Sequence, residues 1–164
     1  MSKTEQNLKE VFAGESQANR KYLAYAKKAD KDGYPQVAKL FRAAAAAETI
    51  HAHAHLKNLG GIKTTVENLK DAISGEQHEF KTMYPAMIKD AEEEGQKVAK
   101  RFFQYANDVE EVHSNLYQKA LDNLDNPEEV DYYICSVCGY TCEIEPPDVC
   151  PVCGARSKAF HKCD

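Results

Sequence analysis

The sequence predicts a mainly α protein in which a long four-helix bundle is followed by a small metal-binding module. Residues 4–124 are rich in Ala, Glu, Lys, Gln and Leu, which are good helix formers, and only short breaks interrupt them. All six cysteines lie beyond residue 134, in a segment rich in Pro, Gly and aromatic residues. We therefore expect one domain over residues 1–127 and a second over residues 128–164.

The breaks separate four helices of similar length. The segments KDGYP, LGGIKT and EEEG interrupt the helical pattern, which predicts helices near 4–30, 35–59, 65–93 and 96–124. At about 1.5 Å per residue each helix is roughly 37–44 Å long, and four such helices are typical of a bundle. Pro85 falls inside the third helix, where its missing N–H is expected to produce a kink.

The helical region contains an internal repeat. AGESQ at 13–17 matches SGEQH at 74–78, and VAKLF at 37–41 matches VAKRF at 98–102. The pair Glu48-x-x-His51 is matched in the same order by Glu110-x-x-His113. The sequence therefore contains a duplicated helix hairpin, with one glutamate on its first helix and Glu-x-x-His on its second.

This donor pattern predicts a site for two metal ions. Residues three apart share a helix face, so each Glu-x-x-His pair points in one direction, and Glu15 and Glu76 add a carboxylate each at matching positions. Bundles with this set bind two iron ions, whose charge allows several carboxylates to be buried together. Manganese and zinc are the alternative metals. Glu79 is a further candidate ligand whose counterpart is Ala18, so the two metals are expected to be inequivalent.

Three histidines alternate with alanine at the end of the second helix, and only one of them is a predicted ligand. At about 100° per residue His53 points away from the glutamate of the motif, whereas His51 and His55 both lie on its side. The repeat distinguishes them, because His51 corresponds to His113 and His55 corresponds to Tyr117. We assign His51 as the ligand and His55 as a packed neighbour.

Four of the cysteines form two C-x-x-C pairs. CSVCGY at 135–140 and CPVCGA at 150–155 each place a glycine after the second cysteine, where it permits a tight turn around the metal. Such pairs predict a tetrahedral four-sulfur site for iron or zinc, with the ligands Cys135, Cys138, Cys150 and Cys153. Cys142 and Cys163 lie outside the pattern and are expected to be free or packed thiols.

Charge and composition exclude several classes of function. The net charge of −5, with acidic and basic residues well mixed, argues against nucleic acid and anionic membranes as partners. No run of 18 apolar residues predicts a membrane span, and the first ten residues lack the apolar core of a signal peptide. Clustered cysteines indicate a metal in a reducing compartment, so we expect a cytoplasmic protein.

Together these motifs resemble the rubrerythrin family over essentially the whole chain. FAGESQA at 12–18, GEQHEFKTMYP at 75–85, both Glu-x-x-His pairs and both C-x-x-C segments match the family pattern. The resemblance implies a ferritin-like four-helix bundle with a non-haem di-iron site, joined to a rubredoxin-like domain in which four cysteines hold one iron. It implies that His51 binds iron in the reduced state and that Tyr22 and Tyr84 lie beside the site. The di-iron ligands that it implies are Glu15, Glu48, Glu76, Glu79, Glu110 and His113.

The resemblance also implies an activity, the reduction of hydrogen peroxide to water in defence against oxidative stress. The four-cysteine iron centre would return electrons from a donor such as a rubredoxin or an NAD(P)H-linked reductase. A head-to-tail homodimer is expected to bring the four-cysteine centre of one chain near the di-iron site of the other. The alternatives are a ferroxidase or iron-storage protein and a zinc-bearing interaction protein.

The connection between the second and third helices departs from the family pattern. Many members have a longer connection, whereas here only the residues near 59–64 join the two helices. Five or six residues reach at most about 20 Å, which is less than the length of either helix. The bundle is therefore expected either to have a simple up-down-up-down order or to exchange helix pairs between two chains, and exchange is favoured.

Overall fold

The helices begin and end within three residues of the predicted positions. The computed structural model describes residues 2–163, so the end residues 1 and 164 of the two predicted domains lie outside it. The chain forms two compact units, residues 1–63 and 64–164, and each is described by itself. The helices are α1 (Lys3–Lys31), α2 (Pro35–Asn58), α3 (Thr65–His78), α4 (Tyr84–Glu93) and α5 (Lys97–Asp122), and the strands are β1 (Tyr132–Cys135), β2 (Thr141–Glu143) and β3 (Phe160–Cys163).

The first unit is a hairpin of α1 and α2 whose contact surface is made largely of alanine. Ala38, Ala45 and Ala52 recur every seven residues along α2 and are 0%, 1% and 5% exposed. Side chains this small allow two helices to approach closely. Asn19 of α1 adds a polar contact across the hairpin, because its Nδ2 donates to the Ala45 carbonyl at 2.7 Å and to Thr49 Oγ1 at 2.8 Å. These three alanines of α2 therefore serve packing between the two helices of the hairpin.

The third predicted helix is continuous from α3 to α4 but contains one wider turn. Residues Glu79–Met83 form a π-helical turn, in which the Tyr84 N–H donates to the Glu79 carbonyl five residues earlier. Pro85 follows directly and has no N–H to offer the preceding turn. Such single-turn π segments are frequent at functional sites. Where the sequence predicts a kink near Pro85, the structure therefore has a π-helical turn that includes Glu79.

The second unit combines α3, α4 and α5 with the cysteine-rich module. α5 packs against both α3 and α4, and Ile73, Ala91 and Val109 are buried among these helices. The three strands of the module form an antiparallel sheet in the order β2-β1-β3. The module also contacts α5, since Lys119 Nζ lies 2.7 Å from Glu143 Oε2 of β2.

Among the described residues, no helix is both long enough and apolar enough to cross a membrane.

Candidate metal centres

The first hairpin gathers three of the predicted ligands. Glu15 of α1 and Glu48 and His51 of α2 each offer one donor atom, and the three atoms lie within 4.8 Å of one another. His51 Nδ1 is 3.3 Å from Glu48 Oε2 and 3.7 Å from Glu15 Oε1. The spacing of Glu-x-x-His places both donors of α2 on the side that faces α1. This half of the repeat therefore presents a group that could hold a metal ion.

Glu15 has a feature that fits a metal ligand. Within the described part of the chain its Oε2 is buried and accepts no hydrogen bond. His55 Nε2 is 3.3 Å from this oxygen, but the two groups are not oriented as a hydrogen bond. A buried carboxylate oxygen with an unused lone pair is costly unless a cation satisfies it. His55 thus lies beside the site as a neighbour of Glu15, whereas His53 is exposed.

The second hairpin gathers the corresponding three predicted ligands. Glu76 of α3 and Glu110 and His113 of α5 offer donor atoms within 4.8 Å of one another. His113 Nδ1 is 2.8 Å from Glu110 Oε2 and 3.9 Å from Glu76 Oε1. The duplicated sequence therefore produces two corresponding clusters, one within each of the two compact units.

The second cluster concentrates negative charge. Burial, together with the charge of Glu110, raises the pKa of Glu76 from 4.5 to about 7. Burial and the Glu110 charge also raise the pKa of Glu79, although Glu79 lies outside the close group of three. A bound cation would reverse this effect by favouring the ionised carboxylates. The chemistry of this donor set therefore fits a pair of iron ions.

Two tyrosines lie near these carboxylates. Burial raises the pKa of Tyr84, and the charge of Glu79 raises it further. The sequence did not predict that Tyr117 would join them, yet burial and the charge of Glu76 raise its pKa as well. The repeat offered a signal for this position, because Tyr117 corresponds to His55, which lies beside the first cluster. Tyr22 instead packs in the first hairpin, with its ring 6.1 Å from that of Phe41.

The four predicted cysteine ligands come together in the module. Their sulfur atoms lie within 4.8 Å of one another; those of Cys138 and Cys150 are 3.6 Å apart, and those of Cys135 and Cys153 are 3.7 Å apart. These distances exceed a disulfide bond and suit four thiolates around one metal ion. Cys142 remains outside the group, with its thiol directed at backbone carbonyls.

Each C-x-x-C pair forms the same tight turn. Gly139 and Gly154 follow the second cysteine with φ of 87° and 75°, a conformation that glycine adopts without strain. Their N–H groups donate to the carbonyls of Cys135 and Cys150, both at 2.9 Å. Burial raises the pKa of Cys138 strongly, as expected for a thiol that ionises only when it binds a metal.

Comparison with known proteins identifies the class to which this fold and these clusters belong. The family model "Rubrerythrin" matches residues 6–121, and the model "Rubrerythrin, rubredoxin-like domain" matches residues 133–161. Rubrerythrin-2 of Clostridium acetobutylicum is 34% identical over 94% of this chain and 93% of its own. Nigerythrin of Nitratidesulfovibrio vulgaris is 38% identical over 96% of this chain and 85% of its own.

Solved structures agree with these relatives. The mixed-valence state of nigerythrin aligns with a TM-score of 0.60 at 35% identity, over 99% of this chain and 88% of that one. Its fully reduced, all-ferrous state aligns with a TM-score of 0.61 at 34% identity, with the same coverage. The chain belongs to the rubrerythrin family. The predicted fold class, a ferritin-like bundle followed by a rubredoxin-like domain, is confirmed, as are the two kinds of iron centre, the di-iron site and the four-cysteine site.

Proposed function

We propose that the protein reduces hydrogen peroxide to water at a di-iron site, with electrons supplied through the four-cysteine iron. The observation that carries the proposal is the presence of two Glu/His clusters and one four-cysteine cluster in a single chain. An iron-storage protein needs the carboxylates but has no use for a one-electron relay. A zinc-bearing interaction protein explains the cysteines but leaves the buried carboxylates without a purpose.

The proposed roles follow the donor chemistry. Two ferrous ions, when bound, supply the two electrons that convert one peroxide and two protons into two waters. Tyr84 and Tyr117 keep their phenolic protons at neutral pH, because burial and the nearby carboxylates raise their pKa. Tyr84 and Tyr22 are the proposed groups that orient the site. The proposed metal ligands are Glu15, Glu48, His51, Glu76, Glu79, Glu110 and His113 for the di-iron site, and Cys135, Cys138, Cys150 and Cys153 for the single iron.

Rapid mixing of the reduced, iron-loaded protein with peroxide under anaerobic conditions tests this function. We expect both iron centres to be oxidised in well under a second, which the return of the red colour of the ferric four-cysteine centre reports. His51→Ala should slow the reaction, whereas the matched variant His53→Ala on the exposed side of α2 should not. Slow oxidation of the wild type, or assembly into a large cage that takes up ferrous iron, would contradict the proposal and favour the ferroxidase alternative.

We also propose that the bundle is completed by a second copy of this chain. Leu59–Thr64 is the whole connection between α2 and α3, and six residues reach at most about 20 Å. α2 has 24 residues and is about 36 Å long. Leu40 and Ile50 of α2 are 67% and 69% exposed, which leaves apolar surface for a partner. Exchange of hairpins would give each site Glu15, Glu48 and His51 from one chain and the remaining ligands from the other.

Complementation between two defective chains tests the exchange. One chain carries Glu15→Gln and Glu48→Gln, and the other carries Glu76→Gln and Glu110→Gln. Exchange predicts that the co-expressed heterodimer regains one intact di-iron site, whereas either chain alone has none. Without exchange no combination restores a site, and a stable wild-type monomer with a full di-iron site would also refute it.

The remaining assignments are proposals of the same kind. We propose a rubredoxin or an NAD(P)H-linked reductase as the electron donor, because the four-cysteine centre transfers one electron at a time. We propose a cytoplasmic location, since the described residues contain six cysteines and no disulfide. The domain boundary near residue 127 is also a proposal; it lies between the ranges that the two family models match.

A further inference from the structure

The carboxylate of Glu15 faces two different histidines of α2. Its Oε1 is 3.7 Å from His51 Nδ1, within the first ligand cluster. Its Oε2 is 3.3 Å from His55 Nε2, and His55 does not belong to that close group of three. His51 and His55 are four residues apart, so they lie one above the other on one helix face. Glu15 therefore directs one oxygen into the predicted cluster and the other oxygen beyond it.

The contact between Glu15 and His55 is not a hydrogen bond. Glu15 Oε2 is buried and accepts no hydrogen bond from any residue that the structure describes, although the imidazole lies within reach. Leaving a buried carboxylate oxygen unpaired costs free energy. A cation between the two atoms would accept a lone pair from each of them and remove that cost.

The separation of the two atoms suits ligands of one divalent ion. Two ligands that each lie about 2.1 Å from an ion are about 3.0–3.4 Å apart when their bonds meet at about 90–109°. The 3.3 Å between Glu15 Oε2 and His55 Nε2 falls in this range. Iron and zinc both accept a carboxylate together with an imidazole. The His55 side chain is 29% exposed, so water can complete the coordination of an ion held there.

The corresponding position of the second unit carries a different residue. Tyr117 stands where the first half of the repeat has His55. A phenol keeps its proton at neutral pH and is a poor ligand for a divalent ion. A site that depends on His55 therefore belongs to the first unit alone, whereas the two Glu-x-x-His pairs are common to both halves.

We propose that Glu15 Oε2 and His55 Nε2 bind one further divalent ion beside the di-iron site, and that ferrous iron enters the di-iron site through this position. Glu15 holds the incoming ion through Oε2 while its Oε1 stays with Glu48 and His51. Release of His55 then lets the ion move along the Glu15 carboxylate to these two ligands. Two protein donors bind an ion more weakly than the full ligand set does, which suits an ion that moves on. The ion keeps its charge throughout, so the proposal does not depend on the peroxide reaction.

The first test identifies the ligand directly. In the full-length protein loaded with 113Cd, a 1H–113Cd correlation spectrum should connect a cadmium ion to the ring protons of His55. This ion should differ from the ions that correlate with His51 and with the four cysteines. Cadmium correlations to His51 and His113 without one to His55 would overturn the proposal.

Counting bound ions provides a second measurement. After equilibrium dialysis against zinc, the wild type should hold one more ion per chain than His55→Gln, because an amide can form a hydrogen bond to Glu15 but is a poor zinc ligand. His55→Tyr copies the second half of the repeat and should lose the same ion. His53→Ala removes an exposed histidine two residues away and should bind as many ions as the wild type. Equal zinc contents in the wild type and His55→Gln would contradict the proposal.

The rate at which the di-iron site fills tests the entry role. With the four cysteines occupied by zinc, the protein is mixed with cobalt(II), and the visible absorbance of cobalt bound in the bundle is followed in time. His55→Gln should fill about 10-fold more slowly than the wild type, because it loses a group that raises the local ion concentration. His53→Ala should fill at the wild-type rate. Equal rates in His55→Gln and the wild type would refute entry by this route. If His55→Gln does not fold, the cadmium spectrum of the wild type still decides whether His55 binds metal.

Failure of this proposal and failure of the proposed function give different results. A protein in which cadmium binds His55 but peroxide is not reduced refutes the peroxide reaction alone. A protein that reduces peroxide while cadmium never contacts His55 refutes only the additional metal site.

Discussion

The negative charge of the second cluster should make the stability of the metal-free protein depend on pH. Metal-free protein is prepared by chelation. Glu76 has a folded-state pKa of about 7, above its unfolded value of 4.5, because it is buried beside Glu110. Between these values the folded state binds more protons than the unfolded state. The free energy of unfolding must therefore fall as the pH rises from about 4.5 to about 7. Glu76→Gln, which cannot ionise, should remove this loss.

The size of the effect follows from the same two values. A pKa difference of about 2.5 corresponds to about 3 kcal/mol. Glu76 retains 19% of its side-chain exposure, and solvent screens part of the repulsion from Glu110. We therefore expect Glu76→Gln to stabilise the metal-free protein by about 1–2 kcal/mol near pH 8, and to have almost no effect near pH 4.

Urea unfolding at a series of pH values measures this difference. Glu111→Gln is the matched control, because Glu111 is a neighbouring but exposed residue of α5, and it should change the free energy of unfolding little at any pH. Added ferrous iron should reverse the order, since Glu76→Gln removes a proposed ligand. The reasoning is refuted if Glu76→Gln is as stable as the wild type near pH 8, or if its advantage grows as the pH falls.

Further predictions concern the other sites. Cys150→Ser should lose the red colour of the ferric four-cysteine centre and one iron per chain by metal analysis, while circular dichroism shows unchanged helix content; retention of the colour would contradict the four-cysteine assignment. Ala38→Leu inserts a larger side chain at a wholly buried position of α2 and should lower the free energy of unfolding by about 1–3 kcal/mol; an unchanged free energy of unfolding would contradict the close packing of α1 on α2. Glu79→Gln should weaken one of the two irons more than the other in a metal titration, and equal weakening would argue against inequivalent metals.

Much of the fold could be predicted because its signals are local. Helix ends depend on a few neighbouring residues, as at Thr64, whose hydroxyl accepts from the Glu67 N–H while the Glu67 carboxylate accepts from Thr64. A Glu-x-x-His pair projects from one helix face whatever surrounds it, and each C-x-x-C turn is formed within a few residues. The repeat then doubled each signal, which is why the sequence favours His51 over His55 as the predicted ligand.

Other features required contacts between distant residues. Thr141 Oγ1 lies 3.1 Å from His113 Nε2, although the two residues are 28 apart in the chain, and nothing in the local sequence of Thr141 distinguishes it from any other threonine in a strand. The proximity of Tyr117 to Glu76, the packing of His55 against Glu15, and the π turn at Glu79 likewise depend on which helices meet.

The sequence by itself determined the helices, the candidate ligands and the two kinds of centre, because periodicity and spacing are properties of short segments. Only the tertiary structure decided which ligands are neighbours, which carboxyl group resists ionisation, and that the cysteine-rich module contacts His113 through one hydroxyl. These depend on distances and burial that arise when separate segments pack together.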